Sequence, residues 1–298
     1  MAVQQVRAKV HGTWHTLTYN GTSGKYEKQI TAPTITSFNE AGGYYPVEIE
    51  ATDDHGNVAS DTSARLTVKE TTKPVINITS PASGSYLSSN TPPIVFTLRD
   101  ETNGSGIKLT TLAMKIDSTT YTSASSGMVA TPVTGGYNCT YTPQSALSDG
   151  SHTITVNVAD NDGNTGTQKT ASFTVDTVAP TLNLTAPVNN LKTNIALCNV
   201  IGATNDATSS SVAVTVKLNG IDQGAVTVSG GNFTKAITLG QGSNTIVVRS
   251  TDLAGKFTEV TRTVSLNTMA PTISNVAITP NPADTGASIV VSCTVTDS

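Results

Sequence analysis

The sequence contains little charge and few aromatic residues. Of its 298 residues, 13% are charged and 5% are aromatic, whereas globular proteins carry about 25% charged residues. A coiled coil and a Lys/Glu-rich helical enzyme are therefore excluded, because both need abundant charged helix formers. The net charge of −4 and the isoelectric point near 5.5 provide no basic field. We therefore expect no nucleic-acid partner and no membrane insertion.

Cysteines, long apolar runs and catalytic signatures are also scarce. The three cysteines, Cys139, Cys198 and Cys293, fall in three different domains as delimited below, so no disulfide within a domain is expected. The chain has no run of 18 apolar residues and its first residues lack an apolar core, so neither a transmembrane helix nor a signal peptide is predicted. A Gly-rich phosphate loop, HExxH, GxSxG and CxxC are absent. We therefore predict that the protein is not an enzyme and uses no cofactor.

Threonine is abundant where charge is scarce. The 52 threonines disfavour helix, because a β-branched side chain loses rotamer freedom there, and the many Ser and Asn residues compete with the backbone for hydrogen bonds. The same residues suit strands joined by tight turns. The composition therefore predicts an all-β fold.

One strand-and-turn segment occurs three times. Leu147–Asp160 and Leu239–Asp252 share Leu, Gly, Ser, Thr, Ile, Val and Asp at fixed offsets, and Tyr45–Asp53 is a weaker copy. Apolar residues alternate along each copy, which predicts a half-buried strand. The positions predicted to face inward are Val47, Ile49 and Ala51 in the weaker copy, and Ile154, Val156 and Val158 and then Ile246, Val248 and Ser250 in the other two. A glycine follows the last aspartate by three residues, and then come a second alternating strand and a proline. The glycines are Gly56, Gly163 and Gly255, the second strands are Ala64–Val68, Ala171–Val175 and Thr261–Leu266, and the prolines are Pro74, Pro180 and Pro271.

A second spacing supports this register and sets the domain boundaries. Each of the three prolines is followed by an aspartate at one constant distance along the chain, and these aspartates are Asp100, Asp206 and Asp297. The two spacings divide the chain into residues 1–70, 71–177, 178–268 and 269–298. We interpret the last part as the start of a further, truncated domain, and we expect the protein to continue beyond Ser298.

The motif Asp-x-x-Gly-Asn, a strand and then Val-Asp-Thr-Val-Ala-Pro-Thr at 175–181 resembles bacterial immunoglobulin-like repeats. The junctions at 268–272 and 70–74 fit that pattern more loosely. The resemblance covers residues 71–298 well and residues 1–70 less well. It implies tandem immunoglobulin-like β-sandwiches in an elongated array, which short strands separated by frequent turn signals also favour. Such repeats occur in surface adhesins, in accessory regions of secreted glycosidases and in tailed-phage virion proteins.

Residues 1–70 differ in composition from the rest of the chain. They contain six of the 14 aromatic residues and three of the four histidines. Tyr and Trp are favoured at interfaces, so one interpretation is an aromatic contact surface, and the other is a small core built with aromatics. We treat this part as an aromatic-rich immunoglobulin-like domain and as the candidate attachment module. The candidate partner-binding residues are Trp14, Tyr19, Tyr26, Tyr44 and Tyr45.

One turn carries a weak calcium signature. The sequence Asp-Asn-Asp-Gly-Asn at 160–164 places several side-chain oxygens close together, and Asp160 and Asp162 are the weak Ca²⁺ candidates. The third repeat has Leu253 and Ala254 at the middle positions of the same turn. This difference argues against a metal role shared by the repeats and favours an ordinary hairpin turn.

These expectations combine into a non-enzymatic structural or adhesion protein. The composition is that of an extracellular protein although no export signal is seen, and virion proteins reconcile the two because they assemble in the host cytoplasm. We therefore predict a tail- or capsid-associated spacer of a phage or prophage virion, with other virion proteins and host-surface carbohydrate as partners. A bacterial cell-surface adhesin stalk and an accessory region of a secreted carbohydrate-active enzyme are the alternatives.

Overall fold

The computed structural model describes residues 2–209 and 211–297 and is built almost entirely of β-strands. The predicted all-β class with tandem sandwiches is confirmed. The chain separates into two compact units, which are described in turn: Met1–Ser85 with Ser89–Val175, and Tyr86–Ser88 with Asp176–Ser298. In the described part of the chain, no helix has the length and apolar character needed to cross a bilayer.

The first unit begins with one antiparallel sheet of five strands in the order β3-β2-β1-β4-β5. Within residues 2–66 this sheet is a single layer, which differs from the two-layer sandwich expected there. The alternating residues Val47, Ile49 and Ala51 are accordingly only half-buried. The elements are β1 (Val3–Val10), β2 (Thr13–Asn20), β3 (Lys25–Glu27), a 3₁₀ turn (Ser37–Asn39), β4 (Tyr45–Asp53) and β5 (Val58–Leu66).

The second part of this unit is a two-sheet sandwich. One sheet has the order β11-β12-β8-β6, and the other contains β10, β9, β13 and β14 in that order. Burial alternates along the strands, so Phe96 and Leu98 on one sheet and Ile154 and Val156 on the other are fully buried. The strands of this sandwich are β6 (Val75–Ser80), β8 (Ile94–Arg99), β9 (Ile107–Ile116), β10 (Thr119–Tyr121), β11 (Met128–Val133), β12 (Gly136–Tyr141), β13 (Gly150–Asp160) and β14 (Lys169–Val175). Strand β7 (Ser85–Leu87) lies at the division between the units, because Tyr86–Ser88 is assigned to the second unit.

The second unit contains another sandwich, with sheets β15-β17-β21-β20 and β16-β23-β22-β18-β19. Its core includes Val200 and Phe233 from the first sheet and Val216 and Ile246 from the second. The strands are β15 (Thr181–Ala186), β16 (Leu191–Thr193), β17 (Leu197–Asn205), β18 (Ala213–Leu218), β19 (Ile221–Asp222), β20 (Val228–Ser229), β21 (Asn232–Thr238), β22 (Gly242–Thr251) and β23 (Phe257–Leu266). An exposed antiparallel pair, β24 (Thr272–Thr279) and β25 (Val290–Thr296), follows.

The three repeat aspartates anchor the same hairpin turn. The N–H of Asp53, Asp160 and Asp252 donates to the carbonyl oxygen four residues later, at 3.0–3.1 Å. The carboxylate of each accepts N–H groups from its own turn. The glycine three residues on has a φ of +81° to +98°, which only glycine adopts readily. This shared geometry explains why the Asp and Gly positions recur in the sequence.

Candidate functional site

Three carboxylates meet in each sandwich, and we refer to these two clusters as the acidic triads. In each triad, one carboxylate oxygen from every residue lies within 4.8 Å of the other two. The Glu70 triad consists of Glu70, Asp100 and Asp160, and the Asp176 triad consists of Asp176, Asp206 and Asp252.

The members of the two triads occupy equivalent positions in the two sandwiches. The first member precedes the proline that opens the sandwich by four residues, and the second is the aspartate that follows that proline at the repeated spacing. The third member is the aspartate that anchors the repeat turn. The triads therefore form where the entering segment, the end of β8 or β17, and the end of β13 or β22 come together.

The Asp176 triad is the more deeply buried of the two. Asp176, Asp206 and Asp252 are 0%, 8% and 7% exposed, respectively. Oδ1 of Asp206 accepts the N–H groups of Thr208 and Ser209 at 2.8 and 2.6 Å. The hydroxyl of Ser209 in turn donates to Oδ2 of Asp176. Hydrogen bonds of this kind hold two of the three carboxylates in fixed orientations.

Asp252 has a buried oxygen without a partner. Its Oδ1 accepts the N–H of Lys256 at 2.8 Å, whereas its Oδ2 is inaccessible to water and receives no hydrogen bond. In the other two repeat turns the corresponding oxygen is bonded by the side-chain amide of an asparagine, Asn57 or Asn164, at 2.8 Å. The third repeat has Lys256 in place of that asparagine, so no side-chain amide of the turn bonds Oδ2 of Asp252.

No positive side chain compensates the Asp176 triad among the described residues. The ion pairs in that part of the chain involve other acids, and none includes Asp176, Asp206 or Asp252. Burying carboxylates costs several kcal/mol for each ion unless a partner of opposite charge is present. The triad is therefore a concentrated negative site inside the protein.

The Glu70 triad is more open and is crowded by further acid. Oε1 of Glu70 accepts the N–H of Ser105 and Oδ2 of Asp100 accepts the N–H of Gly106, both at 2.6 Å. Oε2 of Glu70 and Oδ1 of Asp100 are buried without a hydrogen-bond donor. Burial, followed by the neighbouring carboxyl of Glu101, raises the pKa of Glu70 to about 7 and the pKa of Asp100 to about 6. The carboxylates of this site therefore oppose one another's ionisation.

The structure separates the two aspartates that the sequence suggested as calcium ligands. Asp160 is buried and belongs to the Glu70 triad, but both of its oxygens are bonded within its own turn. Asp162 lies outside the triad, and its Oδ2 accepts the hydroxyl of Thr36 at 2.5 Å and the N–H of Glu70 at 3.0 Å. The middle residues of the turn, which differ between the repeats, are not members of the acidic triads. Each triad instead consists of the first residue of the turn and two acids from other segments.

Sequence reasoning missed Glu70 and Asp176 and assigned no site to Asp100 and Asp206. The constant distance from the domain-opening prolines had already marked Asp100 and Asp206 as repeated positions. The acid four residues before Pro74 and Pro180 was a further repeated position in the sequence. That it belongs to a triad is visible only in three dimensions, where separate strand ends come together.

The five candidate partner-binding aromatics do not form one surface. Trp14 faces the side of the first sheet that carries Arg7, whose guanidinium carbon lies 4.2 Å from the centre of its rings. Tyr19 is an odd-numbered residue on the same strand and therefore faces the opposite side, where it packs against Tyr26 with ring centres 5.3 Å apart. Tyr44 is half-buried beneath the guanidinium of Arg65.

Tyr45 belongs to the core of the first sheet. Its side chain is buried, and its hydroxyl donates to the carbonyl oxygen of Ile35 at 3.2 Å. Burial and then the nearby Glu40 carboxylate raise its pKa. A buried ring cannot contact a partner directly, so Tyr45 leaves the proposed surface. The exposed pair Tyr19 and Tyr26 stays the strongest part of that prediction.

Two side chains of types that serve in catalysis are either buried or already hydrogen-bonded. Cys139 is fully buried, and this burial raises the pKa of its thiol to about 11. Nδ1 of His152 lies 2.8 Å from a carboxylate oxygen of Asp117, and Nε2 lies 2.8 Å from the carbonyl oxygen of Ser148. Neither side chain is available as a nucleophile or as a free base.

Comparison with known families agrees with this architecture. Residues 87–177 match the bacterial Ig-like domain, and residues 180–268 match domain B of glucodextranase. The chain is an immunoglobulin-like repeat protein. This repeat protein is 31% identical to bacillopeptidase F of Bacillus subtilis (strain 168) over 128 residues, which are 43% of this chain and 8% of that relative. The chain thus matches only a small part of the relative's length.

Solved structures that resemble this chain include modules of bacterial proteins. The fibronectin(III)-like modules of Clostridium thermocellum CbhA have a TM-score of 0.39 at 15% identity, covering 65% of this chain and 94% of theirs. Dimeric latent PorU of Porphyromonas gingivalis has a TM-score of 0.30 at 15% identity, covering 89% of this chain and 30% of PorU.

Proposed function

We propose that this immunoglobulin-like repeat protein is a non-enzymatic spacer that holds a neighbouring part of its assembly away from a surface. The family matches support immunoglobulin-like domains of a bacterial extracellular or carbohydrate-active protein. The observation that supports the more specific proposal, a spacer, is the fixed connection between the first sheet and the first sandwich.

A spacer transmits position only if its joints resist bending, and residues 67–74 form such a joint. On one side, the N–H and carbonyl of Val68 bond Ser37, with the backbone bond at 2.9 Å. On the other side, the N–H of Glu70 donates to Asp162, and the side chain of Asn164 donates to the carbonyl of Glu70 at 3.2 Å. The connection is therefore bonded to both neighbours, unlike a flexible Gly/Ser linker.

The interior of each sandwich supports the same role. Each sandwich encloses its own apolar core, as Phe96 with Ile154 and Phe233 with Ile246 show. Domains with separate cores fold independently and can be placed in series, and weak contacts of many copies add up by avidity when such an array is displayed repeatedly. The exposed Tyr19 and Tyr26 pair is the proposed contact for a host carbohydrate or for another structural protein.

The spacer role is tested by exchanging residues 71–268 within the parent protein. Replacement by two unrelated immunoglobulin-like domains of the same length should preserve attachment of the cell or particle, and replacement by a Gly/Ser linker should reduce it. If the unrelated domains abolish attachment as fully as the linker does, the surface of these domains matters more than their spacing and the proposal is refuted.

The placement on a phage or prophage virion stays a prediction, with a bacterial cell surface as the alternative. Antibodies against residues 71–268 distinguish the two. Gold labelling of purified tails or capsids is the expected result for a virion protein, and labelling of intact, uninfected cells would contradict it.

A further inference from the structure

An open cleft lies at one end of the first sandwich, beside the loop that joins β10 to β11. That loop, residues 122–127, forms one wall of the cleft, and the segment 143–147, which follows β12, forms the other. The cleft has a volume of about 570 Å³, which is within the range of pockets that hold small ligands. It shares no residue with the acidic triads or with the candidate aromatic residues of the first sheet.

The lining of this cleft combines aromatic and uncharged polar side chains. Its ten residues include no acidic or basic side chain, whereas three other clefts of the described chain contain both. A further uncharged cleft, beside Thr181 and Asn183, contains no aromatic residue. The cleft beside the loop thus has a ligand chemistry of its own. Its aromatic residues are Tyr121 and Tyr141, and its polar side chains include Thr120, Gln144 and Ser145.

Tyr121 is held in place by the buried side chain of Tyr141. The centres of the two rings are 4.4 Å apart, and the rings are tilted by 37°. Tyr141 is 2% exposed, and its burial, followed by the nearby hydroxyl of Tyr121, raises the pKa of Tyr141 to about 12. Tyr141 therefore stays neutral at physiological pH, and the half-buried ring of Tyr121 forms a fixed aromatic part of the cleft.

The loop that forms the first wall is bonded to its surroundings. The N–H of Thr142 donates to the carbonyl oxygen of Gly127, and the N–H of Met128 donates to the carbonyl oxygen of Ser125, both at 3.0 Å. Gly127 has a φ of +84°, and a Cβ atom there would collide with the carbonyl oxygen of Thr142. Glycine thus lets the two walls approach each other closely. Because the walls are already in place, a ligand loses little affinity to ordering of the protein.

Several polar groups of the cleft are free to bind a ligand. Within the described part of the chain, the hydroxyls of Thr120 and Ser145 make no hydrogen bond to another residue. The side-chain amide of Gln144 donates to the carbonyl oxygen of Thr142 at 2.8 Å, which fixes its orientation and leaves its second N–H for a ligand. Hydroxyl and amide groups both donate and accept, so they match a ligand whose own polar groups do the same.

We propose that this cleft binds a neutral saccharide. A sugar ring has a face of C–H groups, which packs against an aromatic side chain, and a rim of hydroxyls, which donate and accept hydrogen bonds. Tyr121 provides the first contact, and Thr120, Gln144 and Ser145 provide the second. A charged ligand is disfavoured, because no side chain of opposite sign lines the cleft to offset the loss of its hydration. This binding does not depend on the spacer function, and its site is separate from the exposed tyrosine pair of the first sheet.

Saccharide binding is measured on the whole chain by saturation-transfer NMR. The probes are D-glucose, D-galactose, D-mannose and N-acetyl-D-glucosamine, each at ~10 mM, a concentration that reveals dissociation constants in the millimolar range. Irradiation of the protein should transfer saturation to the C–H protons of at least one of these sugars. The anion D-glucuronate should bind more weakly than the best neutral sugar, because the cleft has no cationic side chain.

Variants at the cleft separate ligand binding from folding. Ser145→Ala removes a hydroxyl without a protein partner, so it should leave the unfolding temperature unchanged and weaken binding about 2- to 12-fold, as one lost hydrogen bond does. Ser145→Trp places a large ring at an exposed position of the cleft and should abolish binding. Tyr121→Ala should weaken binding about tenfold or more. The matched control, Tyr19→Ala, removes an exposed tyrosine of the first sheet and should bind as the wild type does.

The proposal is overturned if none of the sugars receives saturation, or if Ser145→Trp binds as the wild type does. Loss of binding in Tyr19→Ala but not in Tyr121→Ala would place the carbohydrate contact on the first sheet, which contradicts this site and agrees with the contact proposed there. Binding of a hexaproline peptide without binding of any sugar would make the cleft a peptide groove. If Tyr121→Ala fails to fold by circular dichroism, Ser145→Trp decides, because its position is exposed.

Discussion

Removing the carboxylate of Asp162 should loosen the connection between the first sheet and the first sandwich. Its Oδ2 accepts two hydrogen bonds, one from the hydroxyl of Thr36 before the joint at 2.5 Å and one from the N–H of Glu70 within the joint at 3.0 Å. The Asp162→Ala variant loses both bonds. The apolar cores on either side do not include Asp162, so they should be unaffected.

The free-energy cost of Asp162→Ala depends on whether each donor finds another acceptor once the carboxylate is removed. A hydrogen bond to a charged acceptor contributes about 1.5–3 kcal/mol. The hydroxyl of Thr36 has an alternative acceptor, the carbonyl of Val68 at 3.2 Å, so its loss is small. The N–H of Glu70 has no comparable replacement and returns to water. Because Asp162 is only half-buried, we expect a total cost of about 1–2 kcal/mol, which is about 5- to 30-fold in the open population.

Trypsin measures this opening directly, because Lys69 is an exposed cleavage site within the joint and Lys73 is followed by Pro74. When opening is fast, cleavage follows the population of the open form. Cleavage after Lys69 should therefore be about 5- to 30-fold faster in Asp162→Ala, and Asp222→Ala should match the wild type. An unchanged cleavage rate in Asp162→Ala would show that these bonds do not hold the joint and would refute the reasoning.

Three further measurements test other parts of the structure. Burial opposes the charge on His152, but the hydrogen bonds to Ser148 and Asp117 raise its pKa. The stabilisation of the folded protein by the charged His152 is therefore complete below the unfolded pKa and is lost as pH rises through the folded pKa. Asp117→Asn should thus cost about 1 kcal/mol at acidic pH and less at alkaline pH in urea unfolding, and a loss independent of pH would contradict the charged pair. Phe96→Ala should cost about 3–5 kcal/mol in the first sandwich alone, and an equal shift of both sandwich transitions would argue against separate cores. Ellman's reagent should modify Cys293 quickly and Cys139 only after unfolding, and equal rates would contradict the burial.

The sandwich interiors could be predicted from the sequence because strand burial has a period of two. Ile154, Val156 and Val158 were assigned inward by alternation, and all are buried. The same alternation in β4 gave Val47 as inward, yet Val47 is only half-buried. Alternation identifies the apolar face of a strand, but it does not reveal whether a second sheet covers that face.

The aromatic residues show a similar limit. Their enrichment in the segment 1–70 was visible in the sequence, and a shared surface was a reasonable hypothesis. Trp14 and Tyr19 are five residues apart on one strand, so they face opposite sides of the sheet. The position of β2 within the sheet and the burial of Tyr45 could be known only from the strand pairing.

The acidic triads required both kinds of information. In all three repeats the aspartate anchors its turn through Oδ1, and this local role accounts for the repeated sequence. Its Oδ2 depends on one further residue, which is asparagine in the first two turns and Lys256 in the third. The substitution leaves Asp252 with an unpaired oxygen inside a cluster of acids. A change that looks like the decay of a repeated motif therefore leaves a buried carboxylate oxygen without a donor, in a residue that lies close to Asp176 and Asp206.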